Sequence, residues 1–169
     1  RPPVQYDLQI AAHVVDRPLL RAVLPGLTKL DTIHLNAAMD ERNIELEMTA
    51  PHIIYGASHI TGVTVNIDGR DSAFTYDAGV ARISQTNFEL NNASVEGRIA
   101  QNEITTALHI RDTGETDQFR IAAVIRQQDS DQVISLQPDL LIHYKPWQVA
   151  TPNQIVLGQE GFYVTGFEI

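Results

Sequence analysis

The sequence predicts an all-β fold, and two observations lead to this prediction. Apolar and polar residues alternate with a period of two in many runs along the chain, which is the pattern of strands with one buried face. Residues typical of turns recur about every 8 to 12 positions, the spacing of successive antiparallel strands. Such residues occur at 40–43, 77–79, 91–92, 101–102 and 128–131. We therefore expect about a dozen strands of about six residues each.

The alternating runs follow one another along the whole chain with no linker or low-complexity segment between them, so we treat 1–169 as one β-rich segment. In chain order they are 4–10, 33–39, 44–48, 63–67, 88–90, 95–99, 104–110, 119–125, 134–136, 140–144, 147–149, 155–157 and 162–164.

One short helix is predicted near residues 17–24. Asp16 can cap its first turn, Pro18 suits that turn, and Pro25 and Gly26 end it. Its apolar stripe, which we expect to pack on the sheet, consists of Leu20, Val23, Leu24 and Leu27.

Composition excludes several classes of function. The formal net charge of −9 argues against nucleic-acid binding, because phosphates require a basic surface. The chain has no cysteine, which rules out disulfides and thiolate metal sites. It begins Arg1-Pro2-Pro3 and ends inside an alternating run, and no apolar run approaches the length of about 18 residues that spans a membrane. These features predict a fragment of a longer protein.

No catalytic or metal-binding pattern is evident. None of the six histidines has the i, i+4 spacing of a helical zinc site. His52 and His59 flank a predicted turn and are expected to be surface residues. Gly56–His59 lacks the second glycine of a nucleophile elbow, and Asp129 and Asp131 lack the following glycine and glutamate of a calcium loop. We therefore predict a non-enzymatic protein with no catalytic residue, metal or cofactor.

A pattern near the end of the chain resembles a known family. It consists of Leu136, Pro138, Leu141, Tyr144, Trp147, Val149, Asn153 and Ile155. This spacing is similar to the late region of TamB proteins, the inner-membrane subunits of the translocation and assembly module, especially those of Bacteroidetes-type bacteria. Independently of the resemblance, Trp147 at the start of a strand is expected to be an aromatic anchor.

Two upstream segments resemble the same family. Tyr55 and Gly56 lie between apolar residues that precede the run at 63–67, and residues 92–99 are followed by Asn102 and Ile104. Both resemble the recurring turn-and-strand units of TamB and other AsmA-like bridge proteins.

The resemblance implies a fold and a function. The fold would be a single curled, antiparallel-rich sheet forming a taco-like groove with an apolar interior. The function would be to shield phospholipid acyl chains during transport between the inner and outer membranes of a Gram-negative bacterium, and so to support outer-membrane biogenesis. The full-length protein would lie in the periplasm, anchored in the inner membrane by a segment absent here. A different region would meet an outer-membrane barrel of the Omp85 type (TamA-like).

Eleven apolar residues of the alternating runs are candidates for the lining of the lipid groove. They are Ile44, Leu46, Met48, Val63, Val65, Ile67, Phe88, Leu90, Leu108, Ile121 and Ile142. Which strand face points inward is an assumption, because a slip of one residue reverses it.

Two alternatives stay open. The chain could be a protein-interaction module that assists the assembly of outer-membrane proteins or autotransporters by adding strands at its sheet edges. It could also be an extracellular β-sandwich of the adhesin or carbohydrate-binding kind, although one Trp and five Tyr supply few surface aromatics.

Overall fold

The predicted all-β class is confirmed. A computed structural model describes residues 7–158 and 161–166, and 73% of them lie in strands. The strands are β1 Leu8–Val14, β2 Leu27–Leu30, β3 Ile33–Met39, β4 Asn43–Tyr55, β5 Ser58–Arg70, β6 Ala73–Gln85, β7 Phe88–Ala100, β8 Glu103–Arg111, β9 Asp117–Gln128, β10 Asp131–Leu136, β11 Asp139–Ile142, β12 Lys145–Gln148, β13 Gln154–Gly158 and β14 Gly161–Thr165. The first predicted strand, 4–10, begins outside the described residues.

All described strands belong to one antiparallel sheet that does not close on itself. Eleven of them follow one path, in the order β1-β3-β4-β5-β6-β7-β8-β9-β10-β13-β14. The short strand β2 pairs with β4 beyond the end of β3. The short strand β11 pairs with β9 beyond the end of β10, and β12 pairs with β11. The alternative of two packed sheets is therefore not what the described residues form. The taco-like groove is not confirmed by this open sheet.

The central strands are about twice as long as the sequence predicts. Strands β4 to β7 have 13 residues each, and the turns predicted at 77–79 and 91–92 lie inside β6 and β7. The reason is that these turn-forming residues supply the polar half of the alternation: Asp77 stands opposite Asn66 and Glu96. The turns predicted at 40–43, 101–102 and 128–131 are confirmed.

The predicted helix is confirmed as α1, Pro18–Val23, but its predicted cap is wrong. Arg17 occupies the N-cap position without a side-chain cap. Asp16 instead accepts a hydrogen bond from Nε of Arg21 at 2.9 Å. That hydrogen bond and the charge of Arg21 hold the pKa of the Asp16 carboxyl below its ordinary value.

The apolar stripe of the helix is largely unpacked. Val23 is 72% exposed and Leu24 is also exposed, whereas Leu27 is buried in β2. The expectation that the whole stripe packs on the sheet is therefore wrong, because only its last residue enters a strand. This helix is too short and too polar to be a membrane span, and no helix in the described ranges qualifies as one.

The hairpin of β11 and β12 lies off the main path of the sheet and is tied to the loop after β8. The hydroxyl of Tyr144 donates to Oδ2 of Asp112 at 3.0 Å, and Oδ1 accepts from the backbone N–H groups of Gly114 and Thr116. These donors, with Thr116 the largest contributor, lower the pKa of the Asp112 carboxyl. Trp147 lies in β12, stands opposite Leu140 of β11 and is 42% exposed.

Asn153 joins the last two strands of the path to the rest of the sheet. It is only 4% exposed. Its side-chain oxygen accepts from the N–H of Leu136 at 2.7 Å, and its amide nitrogen donates to the carbonyls of Leu136 and Ala150. The pairing of β10 with β13 ends at Ile134, so this side chain takes the place of a backbone partner for the end of β10.

We predict that Asn153→Ala lowers the free energy of unfolding by about 1–3 kcal/mol, because three backbone groups lose their partner in a buried place. Urea unfolding followed by circular dichroism measures the change. Asn66→Ala is the matched control, because Asn66 is exposed and makes one long hydrogen bond of 3.4 Å. Equal losses in the two variants would contradict the role assigned to Asn153.

Candidate binding surface

The strand register shows which side chains share a face. Residues directly opposite each other in an antiparallel pair lie on the same side of the sheet, so the pairing can be followed from strand to strand. One such row crosses all eleven strands of the path and contains only apolar residues and one glycine. Its members are Leu8, Met39, Ile44, Gly69, Phe74, Ile99, Ile104, Ile125, Ile134, Ile155 and Val164.

Three shorter rows lie beside it on the same side. The second consists of Ile10, Ala37, Leu46, Ile67, Tyr76, Gly97, Thr106, Ala123 and Leu136. The third consists of Ala12, Leu35, Met48, Val65, Ala78, Val95, Leu108 and Ile121. The fourth consists of Ala50, Val63, Val80, Ala93, Ile110, Phe119 and Ile142. We call these four rows the apolar face; none of its residues is charged.

Nothing in the described chain covers the apolar face. Among residues 7–158 and 161–166, only four large or small apolar side chains are buried, namely Leu27, Leu30, Ala50 and Val156, and of these only Ala50 belongs to the face. Leu8 and Ile99 are 46% and 41% exposed. The chain exposes 11861 Å², whereas a compact monomer of its mass would expose about 8,300 Å². The sheet therefore presents its apolar side chains to solvent instead of to a core.

Two glycines in the apolar face are covered by aromatic rings from the neighbouring strand. A Cβ atom at Gly97 would lie 2.6 Å from Cζ of Tyr76, and one at Gly69 would lie 2.5 Å from Cδ1 of Phe74. Each ring therefore lies across a glycine, in the arrangement by which aromatics compensate for glycine in a sheet. The result is an apolar surface without gaps at these positions.

The opposite face of the sheet is polar and rich in carboxylates. Glu45 stands directly opposite Asp68, and Asp77 stands directly opposite Glu96. Like charges in this position destabilise a sheet modestly, and exposure to water reduces the cost. The two faces thus differ sharply in charge.

A hollow of about 910 Å³ lies along β1 and β3 to β8. Its lining combines residues of the polar face, among them Glu45, Asn66 and Asp77, with members of the second apolar row, among them Leu46 and Ile67. The apolar interior that the resemblance implies is therefore not confirmed.

A line of irregular positions crosses four strands next to the fourth row of the apolar face. The strand register contains no pair between Pro51 of β4 and Gly62 of β5, between Gly62 and Ala81 of β6, or between Ala81 and Asn92 of β7. Gly62 and Asn92 have positive φ angles of 64° and 43°, and proline has no N–H to give to the ladder. We call Pro51, Gly62, Ala81 and Asn92 the interrupted row. Beyond it, the apolar residues of β7 change from odd-numbered to even-numbered positions.

The register brings together nine of the eleven groove candidates. Ile44 lies in the first row; Leu46 and Ile67 in the second; Met48, Val65, Leu108 and Ile121 in the third; Val63 and Ile142 in the fourth. Phe88 and Leu90 lie beyond the interrupted row, where Leu90 stands opposite Ile83 and Phe88 opposite Gln85. Whether the nine bind lipid stays a prediction.

Several members of the face were not among the candidates. Phe74, Ile104, Ile134 and Ile155 belong to the first row, and Tyr76 belongs to the second. Three of them stand in alternating runs that the sequence shows. To identify these residues as members of one face, the strand pairing that aligns the runs across the sheet must also be known.

Comparisons with known proteins identify no relative. No family model, no curated protein and no solved structure matches this chain. Within residues 7–158 and 161–166, no group of three or more His, Asp or Glu side chains is placed to hold a metal ion. The candidate site is accordingly defined by its geometry alone.

We predict that Gly97→Ala destabilises the sheet by about 1–3 kcal/mol, because the added methyl group would meet the carbonyl oxygen of Thr105 as well as the ring of Tyr76, and overpacking costs this much. Gly79→Ala is the control, since its Cβ would meet only Oγ1 of Thr64, at 3.1 Å, and a carbonyl at 3.8 Å. Urea unfolding of the two variants measures the difference. A loss in Gly79→Ala as large as that in Gly97→Ala would contradict the ring-over-glycine arrangement.

Proposed function

We propose that the apolar face binds the acyl chains of phospholipids, and that this chain is a non-enzymatic section of a periplasmic bridge for lipid transport in the outer-membrane biogenesis of a Gram-negative bacterium. The observation that carries the proposal is the uncharged apolar face, whose first row crosses all eleven strands of the path and which no described element covers. The resemblance to TamB proteins supports the same function.

The size of the face suits an extended apolar ligand. Eleven strands spaced by about 4.8 Å extend over about 48 Å, and four rows two residues apart extend over about 20 Å. An apolar patch of this size exceeds the few hundred Å² that soluble monomers ordinarily expose. A partner with a long apolar surface would shield this patch from water.

The uniformity of the rows suits a ligand that moves. Burial of an acyl chain stabilises it by about 0.8 kcal/mol per CH₂, and the face has no charged group that would hold a headgroup at one position. Successive strands therefore offer similar sites. A lipid can pass between such sites without breaking a strong polar contact.

The proposal rests on the composition of the face and not on an enclosed groove. In the bridge that we propose, the sheet curls so that the four rows line its inner side, and a different region of the full protein meets the outer-membrane barrel. An inner-membrane anchor outside this chain would hold the bridge in the periplasm.

Photo-crosslinking tests the lipid proposal. We expect a photoreactive amino acid at Leu46 or Ile121 to form phospholipid adducts in the periplasm of an expressing Gram-negative cell, detected by mass spectrometry. The same group at Glu47, the next residue along β4 but on the polar face, is the matched control and should form few adducts. Equal labelling at Leu46 and Glu47, or no lipid at any of the three positions, would refute the proposal.

A second candidate function is strand addition to a partner protein, because β1, an end strand of the described sheet, carries none of the residues that block edge pairing. Its seven residues pair with β3 without a bulge and contain no Lys, Arg, Asp, Glu or Pro. Natural proteins use charged residues and proline to block pairing at the edge of a sheet. An unfolded outer-membrane strand with alternating apolar and polar residues would extend the sheet at this edge.

Two introduced cysteines separate this candidate from the first, since the chain has none of its own. Ala12 and Ala78 belong to the same row of the apolar face, at the edge strand β1 and in the central strand β6. If strands add at the edge, a cysteine-containing peptide of alternating pattern should form a disulfide with Ala12→Cys at least about tenfold faster than with Ala78→Cys. Similar rates at both positions would argue against edge addition.

A further inference from the structure

Two histidines face each other across the first two strands of the path. His13 of β1 and His34 of β3 are directly opposite in the register, on the polar face. Their ring centroids are 4.7 Å apart with an angle of 69° between the ring planes. Both residues are exposed, so the ring nitrogens can be reached from solvent.

The spacing of the two rings matches what one metal ion requires. An imidazole nitrogen binds a first-row divalent ion at about 2.0–2.1 Å, which places the ring centroid about 3.1 Å from the ion. Two imidazoles at ligand angles of about 90° to 110° then have centroids about 4.4 to 5.1 Å apart. The observed 4.7 Å lies within this range.

A second histidine pair in the same sheet lacks this geometry. His52 and His59 have centroids 6.1 Å apart, because they are diagonal neighbours: His52 stands opposite Thr61 and His59 opposite Ile54. In addition, Nδ1 of His52 lies 3.2 Å from Nζ of Lys29. An ammonium group at that distance disfavours a cation at His52.

We propose that His13 and His34 together bind one divalent transition-metal ion through one nitrogen of each ring. Imidazole ligands suit Cu²⁺, Ni²⁺ and Zn²⁺, and Cu²⁺ binds most tightly in this series. No third His, Asp or Glu in the described part of the chain completes the site, so water fills the other positions. The net charge of −9 favours the approach of cations.

Titration with Cu²⁺ tests this site in the full chain. Isothermal calorimetry in a weakly coordinating buffer at about pH 7.5, where imidazole is mainly neutral, should show binding of one ion with an affinity that depends on both rings. His13→Gln and His34→Gln should each weaken binding by about tenfold or more, because the second imidazole otherwise binds intramolecularly. His59→Gln is the control and should leave the affinity unchanged.

Electron paramagnetic resonance of the Cu²⁺ complex supplies a second readout. Coupling to two imidazole nitrogens is expected in the wild-type chain and to one in each of the two weakened variants. Circular dichroism verifies that the variants keep the sheet. Unchanged affinity in His13→Gln and His34→Gln, or a loss confined to His59→Gln, would overturn the proposal.

Discussion

The antiparallel register is the constraint on which the rest of the structure depends. Side chains alternate between the two sides of a strand, so a shift of one residue in any pair would transfer a whole strand's apolar set to the other side. From β4 to β7 the pairing keeps the same register on both sides of the interrupted row. The apolar residues of β4 to β7 that precede the interrupted row in β4 and β6, and follow it in β5 and β7, therefore fall into the same four rows.

This arrangement produces a protein with little core. A globular domain buries its apolar residues between two layers, whereas here one layer carries both the apolar and the polar side. Stability must come from the hydrogen-bond ladders, from cross-strand pairs and from local devices such as Asn153. The ion pairs Arg82–Glu89 and Arg126–Glu103 are exposed, and exposed pairs of this kind contribute little.

The asymmetry between the faces links structure and proposed function. The polar face carries the cross-strand carboxylates and also the His13–His34 pair, so ionic ligands belong to that side. The apolar face carries no charge and is suited to hydrocarbon. In the function that we propose, such a sheet would separate a lipid from water even though its strands form no closed core.

The sequence by itself determined the strand rhythm, the short helix and the turns at 40–43, 101–102 and 128–131, because alternation and turn residues act over a few neighbouring positions. It also singled out nine apolar residues that the register places on one face, since each is the apolar half of a local alternation; their role in lipid binding stays a prediction. It failed at Asp77 and at Asn91, where residues common in turns are the polar half of long strands. Only the tertiary structure decided which strands pair and in which register, because those choices depend on residues that are distant in sequence. It therefore aligned nine of the candidates into four rows, placed Phe88 and Leu90 beyond the interrupted row, and placed His13 opposite His34.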